Sequence, residues 1–358
     1  MMGSVFSILQ FLVSPKIGSL SDKYGRKRIL LLTMIGNILS AAVWVQSTTF
    51  ASYMLSRVIG GLSEGNVQLA IAILSDVTTA ENRAKALAHV GIAFAICFCI
   101  GPPIGAYFST RPLPDSAFYT ELNIYAVPAL LTLVLLTVET LFLVVALPET
   151  RGKGKNTKTE IKKSAEKAKP TVERTIPERI ALLKSLRHVH FLFLGVFSGV
   201  EFTLTFLTFD LFDWNNKQNG MLIGSIGIMS ALLQGGYVRR AMSRTGEGNM
   251  ARRGVHSCTL GLALLALVPL YVSSNVTLAR RFLQLAAACM AFTSATVVNS
   301  LTAFASLQCD DGGVDADTGK PVIENPKLAK GKALGEFRSS GQLGRAIGPL
   351  LACAAYWT

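Results

Sequence analysis

Gly18-Ser-Leu-Ser-Asp22-Lys-Tyr-Gly25-Arg26-Lys27-Arg28 joins two apolar, helix-length segments of the chain. A small residue, an acid, a glycine and a basic cluster between apolar runs describe a short polar turn between membrane helices. Runs that reach the roughly 20 helical residues needed to cross a hydrocarbon core recur near 3–21, 29–48, 51–74, 86–108, 123–147, 189–211, 219–238, 254–273, 280–307 and 333–356. Half of the 358 residues are hydrophobic and 16% are charged, with a mean hydropathy of +0.43. Soluble domains carry about 25% charged residues. Backbone in lipid must satisfy its own hydrogen bonds, so these runs are expected to be helices. The chain reads as an all-α polytopic membrane protein with about ten transmembrane helices.

The net charge of +13 follows topology. If the loop at 22–28 is cytoplasmic, so are 75–85, 151–188, 238–253 and 308–338, and these hold most of the 35 Lys and Arg. The opposite loops hold only Arg111, Lys217, Arg280 and Arg281. That asymmetry is the positive-inside bias, and basic residues spread in this way do not describe a nucleic-acid groove. The six cysteines (Cys97, Cys99, Cys258, Cys289, Cys309 and Cys353) show neither metal spacing nor a paired framework. No Gly-x-x-x-x-Gly-Lys-Ser/Thr loop is present, so ATP is not an expected partner. No Ser/His/Asp or metal constellation stands out, so neither an enzyme nor a cofactor is expected. Asp310-Asp311-Gly-Gly-Val-Asp315-Ala-Asp317 lacks the spacing and terminal Glu of a calcium loop and reads as solvated.

Residues 151–185 have the polar composition of a flexible linker and are expected to end in a short amphipathic helix around 176–187. They divide the chain into two membrane halves that look related. Ile100-Gly101-Pro102-Pro-Ile-Gly105 lies in the fourth apolar run, and Ala346-Ile-Gly348-Pro349 lies in the last. Gly235-Gly236-Tyr-Val-Arg239-Arg240, with Arg244 beyond, echoes the opening turn. Weak internal repeats of this kind characterise transporter folds.

Together these stretches resemble the major facilitator superfamily. Gly18 to Arg28 is similar to that family's signature between its second and third helices, and Arg57-Val-Ile-Gly60-Gly61-Leu-Ser-Glu64-Gly65 to that of its fourth. Gly101-Pro102-Pro-Ile-Gly105 resembles the antiporter-associated signature of the fifth helix, and Leu147-Pro148-Glu149-Thr150 the common end of the sixth. The wording around Phe197–Phe206 and Gly341–Pro349 is similar to the eukaryotic tetracycline-transporter-like branch, of drug:proton antiporter type. The resemblance implies two pseudo-symmetric helical bundles, with family helices 2 to 6 in residues 1–150 and helices 7 to 11 in residues 189–358. A cytoplasmic loop, 151–188, would join them. It also implies a chain lacking the first and twelfth helices, that is, a fragment or truncated product.

The implied activity is secondary transport of a small organic solute by alternating access, coupled to protons as antiport. The partners are then the lipid bilayer, the solute and protons. The alternative is a non-transporting receptor, scaffold or inactive isoform that keeps the fold. Gly18, Asp22, Gly25, Arg26 and Arg28 form the gating motif, in which the resemblance gives Asp22 the role of holding the two halves together. The rival reading makes the basic residues topology determinants alone. Arg57 and Glu64, seven residues apart on one helix face, and Glu139 and Glu201 are ionisable groups within apolar runs. Such groups are costly in lipid and mark cavities or partners, so the four are candidates for proton coupling, with structural ion pairing as the rival. Arg345, with Arg338 two turns earlier on the same face, is the candidate to bind a carboxylate or organic anion bidentately. Its rival role is counter-ion to Glu139 or Glu201. Gly101, Pro102, Gly105, Gly348 and Pro349 form a helix-bend motif, since they remove bulk and backbone donors.

Overall fold

The computed structural model describes residues 2–78, 80–109, 126–151, 174–309 and 325–357. The linker at 152–173, Arg111 and the acidic stretch at 310–324 lie outside the described residues. The chain is all-α: α1 (Met2–Tyr24), α2 (Arg26–Val45), α3 (Phe50–Ser63), α4 (Asn66–Val77), α5 (Ala80–Ser109) and α6 (Ala126–Ala146) are followed by α7 (Ile176–Phe212) and α8 (Asn216–Leu232). A π-helical turn (Leu233–Val238) leads into α9 (Arg239–Thr245), then α10 (Glu247–Val272), α11 (Val276–Leu307) and α12 (Lys330–Trp357).

Seven helical stretches among the described residues are long and apolar enough to cross a membrane. They are Arg26–Val45, Phe50–Val77, Ala126–Ala146, Ile176–Phe212, Lys217–Met242, Glu247–Val272 and Val276–Leu307. The other three expected spans are also helical, as α1, α5 and α12. Lys16, Asp22 and Lys23 dilute the apolar content of α1, as Lys330, Lys332, Glu336, Arg338 and Arg345 do that of α12. In α5 the apolar stretch among the described residues is Lys85–Phe94.

Local chemistry departs from the sequence expectation in two places. The span expected at 51–74 is two helices, because Glu64 adopts an extended backbone (φ −73°, ψ 98°) and ends α3. Gly65 then fits where an added Cβ would lie 2.9 Å from Ile17 Cγ2, and Asn66 restarts the helix with its Oδ1 accepting from Thr33 Oγ1 at 3.2 Å. The separate amphipathic helix expected at 176–187 is instead the beginning of α7, which runs unbroken to Phe212. Pro177 sits in the first turn, where no backbone donor is needed, and Glu178 accepts from the Thr175 N–H at 3.0 Å.

The helices fall into two compact units. The first comprises Met1–Thr79, Phe108–Leu192 and Ala305–Ala346. In it α2 packs on α3 and α6, and Ile17, Ile29, Leu30, Leu69 and Ile73 form a buried core. Gly18 and Gly331 let α1 and α12 touch through their backbones, since a Cβ on either would overlap the other's carbonyl oxygen. Pro15 cannot donate to the Phe11 carbonyl within α1, and Ser339 Oγ donates to that carbonyl at 2.6 Å instead. The second unit comprises Ala80–Tyr107, Phe193–Phe304 and Ile347–Thr358. Its core gathers Leu204, Val268, Ala279 and Leu283. There α10 and α11 approach at Gly254, whose carbonyl accepts from Thr293 Oγ1 at 3.1 Å.

Candidate functional site

In the first unit the opening turn builds a closed ionic cluster. Gly25, at φ +102° and ψ 152°, reverses the chain between α1 and α2, a conformation open to glycine without a steric penalty. The reversal turns Arg26, 3% exposed, inward onto Asp22, 9% exposed. Arg26 Nη1 lies 2.8 Å from Asp22 Oδ1 and donates to Ser21 Oγ at 2.6 Å, while its Nε donates to Asp76 Oδ2 at 2.9 Å. Lys330 Nζ completes the set at 3.3 Å from Asp76 Oδ1, and also donates to the Ser75 carbonyl at 2.9 Å. Two carboxylates thus face two cations, which is what makes their burial tolerable.

Asp22 carries a second load. Its Oδ1 and Oδ2 accept from the N–H groups of Gly331 and Lys332 at 2.9 and 2.7 Å. These are first-turn donors of α12 with no partner inside their own helix, and a carboxylate there also meets the positive end of the helix dipole. Arg28 is exposed and joins none of these bonds.

Glu149 holds the same turn from the other side. Its carboxylate accepts from the N–H groups of Arg26 (2.8 Å), Lys27 (3.2 Å), Thr150 (3.1 Å) and Arg151 (3.1 Å). Partial burial pushes the Glu149 carboxyl up, but the backbone donors of Arg151, Arg26, Lys27 and Thr150 together hold it below the ordinary carboxylate range. Asp76 is a cluster member that the sequence reading does not single out, and Glu149 one that it quotes only within the Leu147–Thr150 signature, without a role. An acid following an apolar run into a loop on the basic side, next to a surplus of Lys and Arg, is the signal for both.

Deeper in this unit a second group of charges is less tightly paired. Glu64, at the break between α3 and α4, interacts electrostatically with Arg338 and Glu139. His190, 4% exposed, stacks on Phe337 with ring centroids 4.2 Å apart, and its buried Nδ1 has no hydrogen-bond partner among the described residues. Arg338 and Arg345 both act on this imidazole and on each other. Both arginines are partly buried, and neither has a salt bridge among the described residues. Sequence reasoning passes over His190, which lies near the start of the run at 189–211. Its partner Phe337 belongs to another helix, so no local pattern marks it.

The remaining candidates have other surroundings. Arg57 donates from Nε to the Tyr53 hydroxyl at 3.0 Å and lies over the rings of Trp44 (5.4 Å) and Tyr53 (5.2 Å), so aromatic faces hold it rather than Glu64. Glu139 is exposed on α6. In the second unit Glu201 is exposed on α7 without a described partner. Among the described residues nothing stands within 4 Å of a Cβ on Gly101 or Gly105, and α5 continues through them and Pro102 as helix. Gly348, which precedes Pro349 in α12, is packed so closely on α7 that a Cβ would overlap the Gly195 carbonyl oxygen.

The sequence model of the Major Facilitator Superfamily matches residues 1–349. The chain belongs to this family. It is therefore an integral, multi-pass membrane protein of a transporter superfamily. It is 34% identical over 361 residues to the human major facilitator superfamily domain-containing protein 10, aligning over 100% of its own length and 72% of that protein. The class B tetracycline resistance protein of Escherichia coli is 25% identical over 269 residues, covering 74% of this chain and 62% of that one. Among solved structures, the human organic anion transporter MFSD10 (TETRAN) aligns with a TM-score of 0.72 at 31% identity, over 99% of this chain and 77% of that one. The proton:xylose symporter XylE aligns with a TM-score of 0.64 at 14% identity, a likeness of fold alone.

Proposed function

We propose that this transporter carries a small organic anion by alternating access, in antiport with protons, between bundles formed by residues 1–150 and 189–358. The observation that carries the substrate class is the group of Arg338, Arg345 and His190. Two partly buried arginines, without salt bridges among the described residues, act electrostatically on a buried imidazole whose Nδ1 lacks a partner among those residues. A carboxylate satisfies all three, because guanidinium presents a planar fork of donors matched to it. The likeness to a protein described as an organic anion transporter supports the same class.

Asp22 supplies the reversible contact. While its carboxylate caps α12, the ends of α1 and α12 stay together. Opening on this side releases the Gly331 and Lys332 N–H groups to water, which hydrogen-bonds them in turn. That exchange of equivalent partners keeps the step affordable. Glu64, which Arg338 influences through space, and Glu201 are the acids through which a proton would be coupled.

The test is uptake of a labelled aromatic carboxylate into proteoliposomes, with and without an imposed pH gradient. Arg338→Ala and Arg345→Ala are each expected to lower uptake at least about tenfold, and Arg345→Lys to restore little of it. Glu64→Gln or Glu201→Gln is expected to abolish the response to the gradient while exchange without a gradient persists. Uptake that ignores the gradient and survives both arginine substitutions would sink this reading.

A further inference from the structure

In the second unit the π-helical turn Leu233–Val238 runs into α9, and Lys85 of α5 joins Gly235, Arg239, Arg240 and Arg244 around a cavity of ≈ 530 Å³. That volume lies within the roughly 300–1,000 Å³ usual for small-ligand sites. Lys85, Arg239 and Arg244 are exposed, and among the described residues none of the three is in a salt bridge with a carboxylate. Gly235 and Gly236 leave the wall of the turn open: among the described residues, a Cβ on Gly236 would meet nothing within 4 Å, and one on Gly235 would meet Ile92 Cδ1 at 3.9 Å.

The cavity lies at the end of the span Lys217–Met242, so its contents sit where a membrane's polar surface begins. On the same span Ile228, Leu232 and Tyr237 are exposed, Leu232 to 71%. In a membrane span, apolar side chains this exposed are covered by acyl chains. The cavity therefore offers cations for an anionic head next to an apolar surface for a tail.

We infer that this cavity binds the phosphorylated headgroup of an anionic membrane lipid, whose acyl chains lie over Leu232 and Ile228. Arginine pairs bidentately with phosphate oxygens and lysine as a point charge, and basic pockets among transmembrane helices take such headgroups. This site is distinct from the Arg338 and Arg345 group, and it serves the lipid environment rather than the transported solute.

The experiment titrates the purified full chain with short-chain phosphatidylinositol bisphosphate, phosphatidylcholine or soluble inositol trisphosphate, reading bound adducts by native mass spectrometry and the unfolding midpoint. Phosphatidylinositol bisphosphate is expected to bind and raise the midpoint, and phosphatidylcholine to do neither. Each neutralised cation is expected to weaken binding roughly fivefold, so the combined Lys85→Gln, Arg239→Gln and Arg244→Gln variant loses on the order of a hundredfold. A control pair on the same basic side, Arg151→Gln with Arg252→Gln, keeps wild-type affinity. Should the triple variant fail to fold, Lys85→Gln alone still carries the fivefold loss. Undiminished binding in these variants, or an equal loss in the control pair, overturns the site. Inositol trisphosphate binding as tightly as the lipid overturns the lipid assignment in favour of a soluble polyanion.

Discussion

The first unit and the second each contain a glycine turn of nearly the same backbone geometry. Gly25 has φ +102° and ψ 152°, and Gly246 has φ +82° and ψ 153°. Each glycine precedes a long helix, and each donates its N–H to the carbonyl four residues earlier, Ser21 or Met242. Their side-chain surroundings differ. Three residues before the first glycine stands Asp22, and one residue after it stands Arg26; the matching positions of the second hold Ser243 and Glu247. In the first case acid and base bond each other and the start of α12. In the second, Arg239, Arg240 and Arg244 precede the turn with no acid among them and line a cavity. The main chain fixes the reversal, and the order of charges along it decides whether the turn closes on its own ion pairs or leaves its cations facing a cavity.

The largest expected loss follows replacement of Arg26. Arg26→Gln leaves Asp22 and Asp76 buried beside a single cation, and removing one partner of a buried ionic set costs about 3–5 kcal/mol. The thermal midpoint in detergent is expected to fall accordingly, while Arg239→Gln stays within about 0.5 kcal/mol of wild type, as surface substitutions do. Equal losses in the two variants would show that the turns are alike after all.

Alanine at the two glycines separates the turns at the level of the backbone. Gly246→Ala is expected to cost about 1–3 kcal/mol for the positive φ alone, since among the described residues nothing stands within 4 Å of the added Cβ. Gly25→Ala should cost more, because its Cβ would lie 2.5 Å from Glu149 Oε2 and displace a carboxylate tied by four N–H groups. Chemical denaturation of both variants gives the ranking, and a Gly246 variant that is the less stable of the two would contradict it. Asp22→Ala removes the cap of α12 and is expected to cost about 1–2 kcal/mol. Asp22→Asn should recover part of that by keeping one acceptor, read as slower exchange of the Gly331 and Lys332 amides.

The smallest expected effect is that of pH on Glu149. Its folded value lies below the unfolded one of about 4.3, so its stabilisation is fully present above that pH and is lost as pH falls through the folded value. Wild-type stability should therefore decline below about pH 4.3 more steeply than that of Glu149→Gln, and the two curves should converge in acid. Parallel curves would remove Glu149 from the account of the turn.

The helical membrane fold was legible because a long apolar run in lipid has one backbone solution, and Gly25 could be read as a turn because it separates two such runs. The break at Glu64-Gly65 was not legible. Apolar content continues through Phe50–Val77, and the interruption is fixed by close packing of Ile17 and Thr33 from other helices against Gly65. The partners of Asp22 were hidden for a related reason. They are main-chain N–H groups of α12, more than 300 residues away, and every residue but proline carries such a group. His190 shows a third limit, since a ring stacked on Phe337 has meaning only once two helices are side by side.

The bonds of Glu149 divide labour between main chain and side chain. Its carboxylate grips the amides of residues 26 and 27 and ignores what those residues carry. The anchoring of α2 thus costs no side chain: Arg26 is free to turn inward to Asp22 and Asp76, and Lys27 to reach the Val144 carbonyl at 2.8 Å. Mutational drift at position 27 would leave the anchor intact so long as proline is avoided. Position 26, whose guanidinium joins Asp22 and Asp76, has no such latitude.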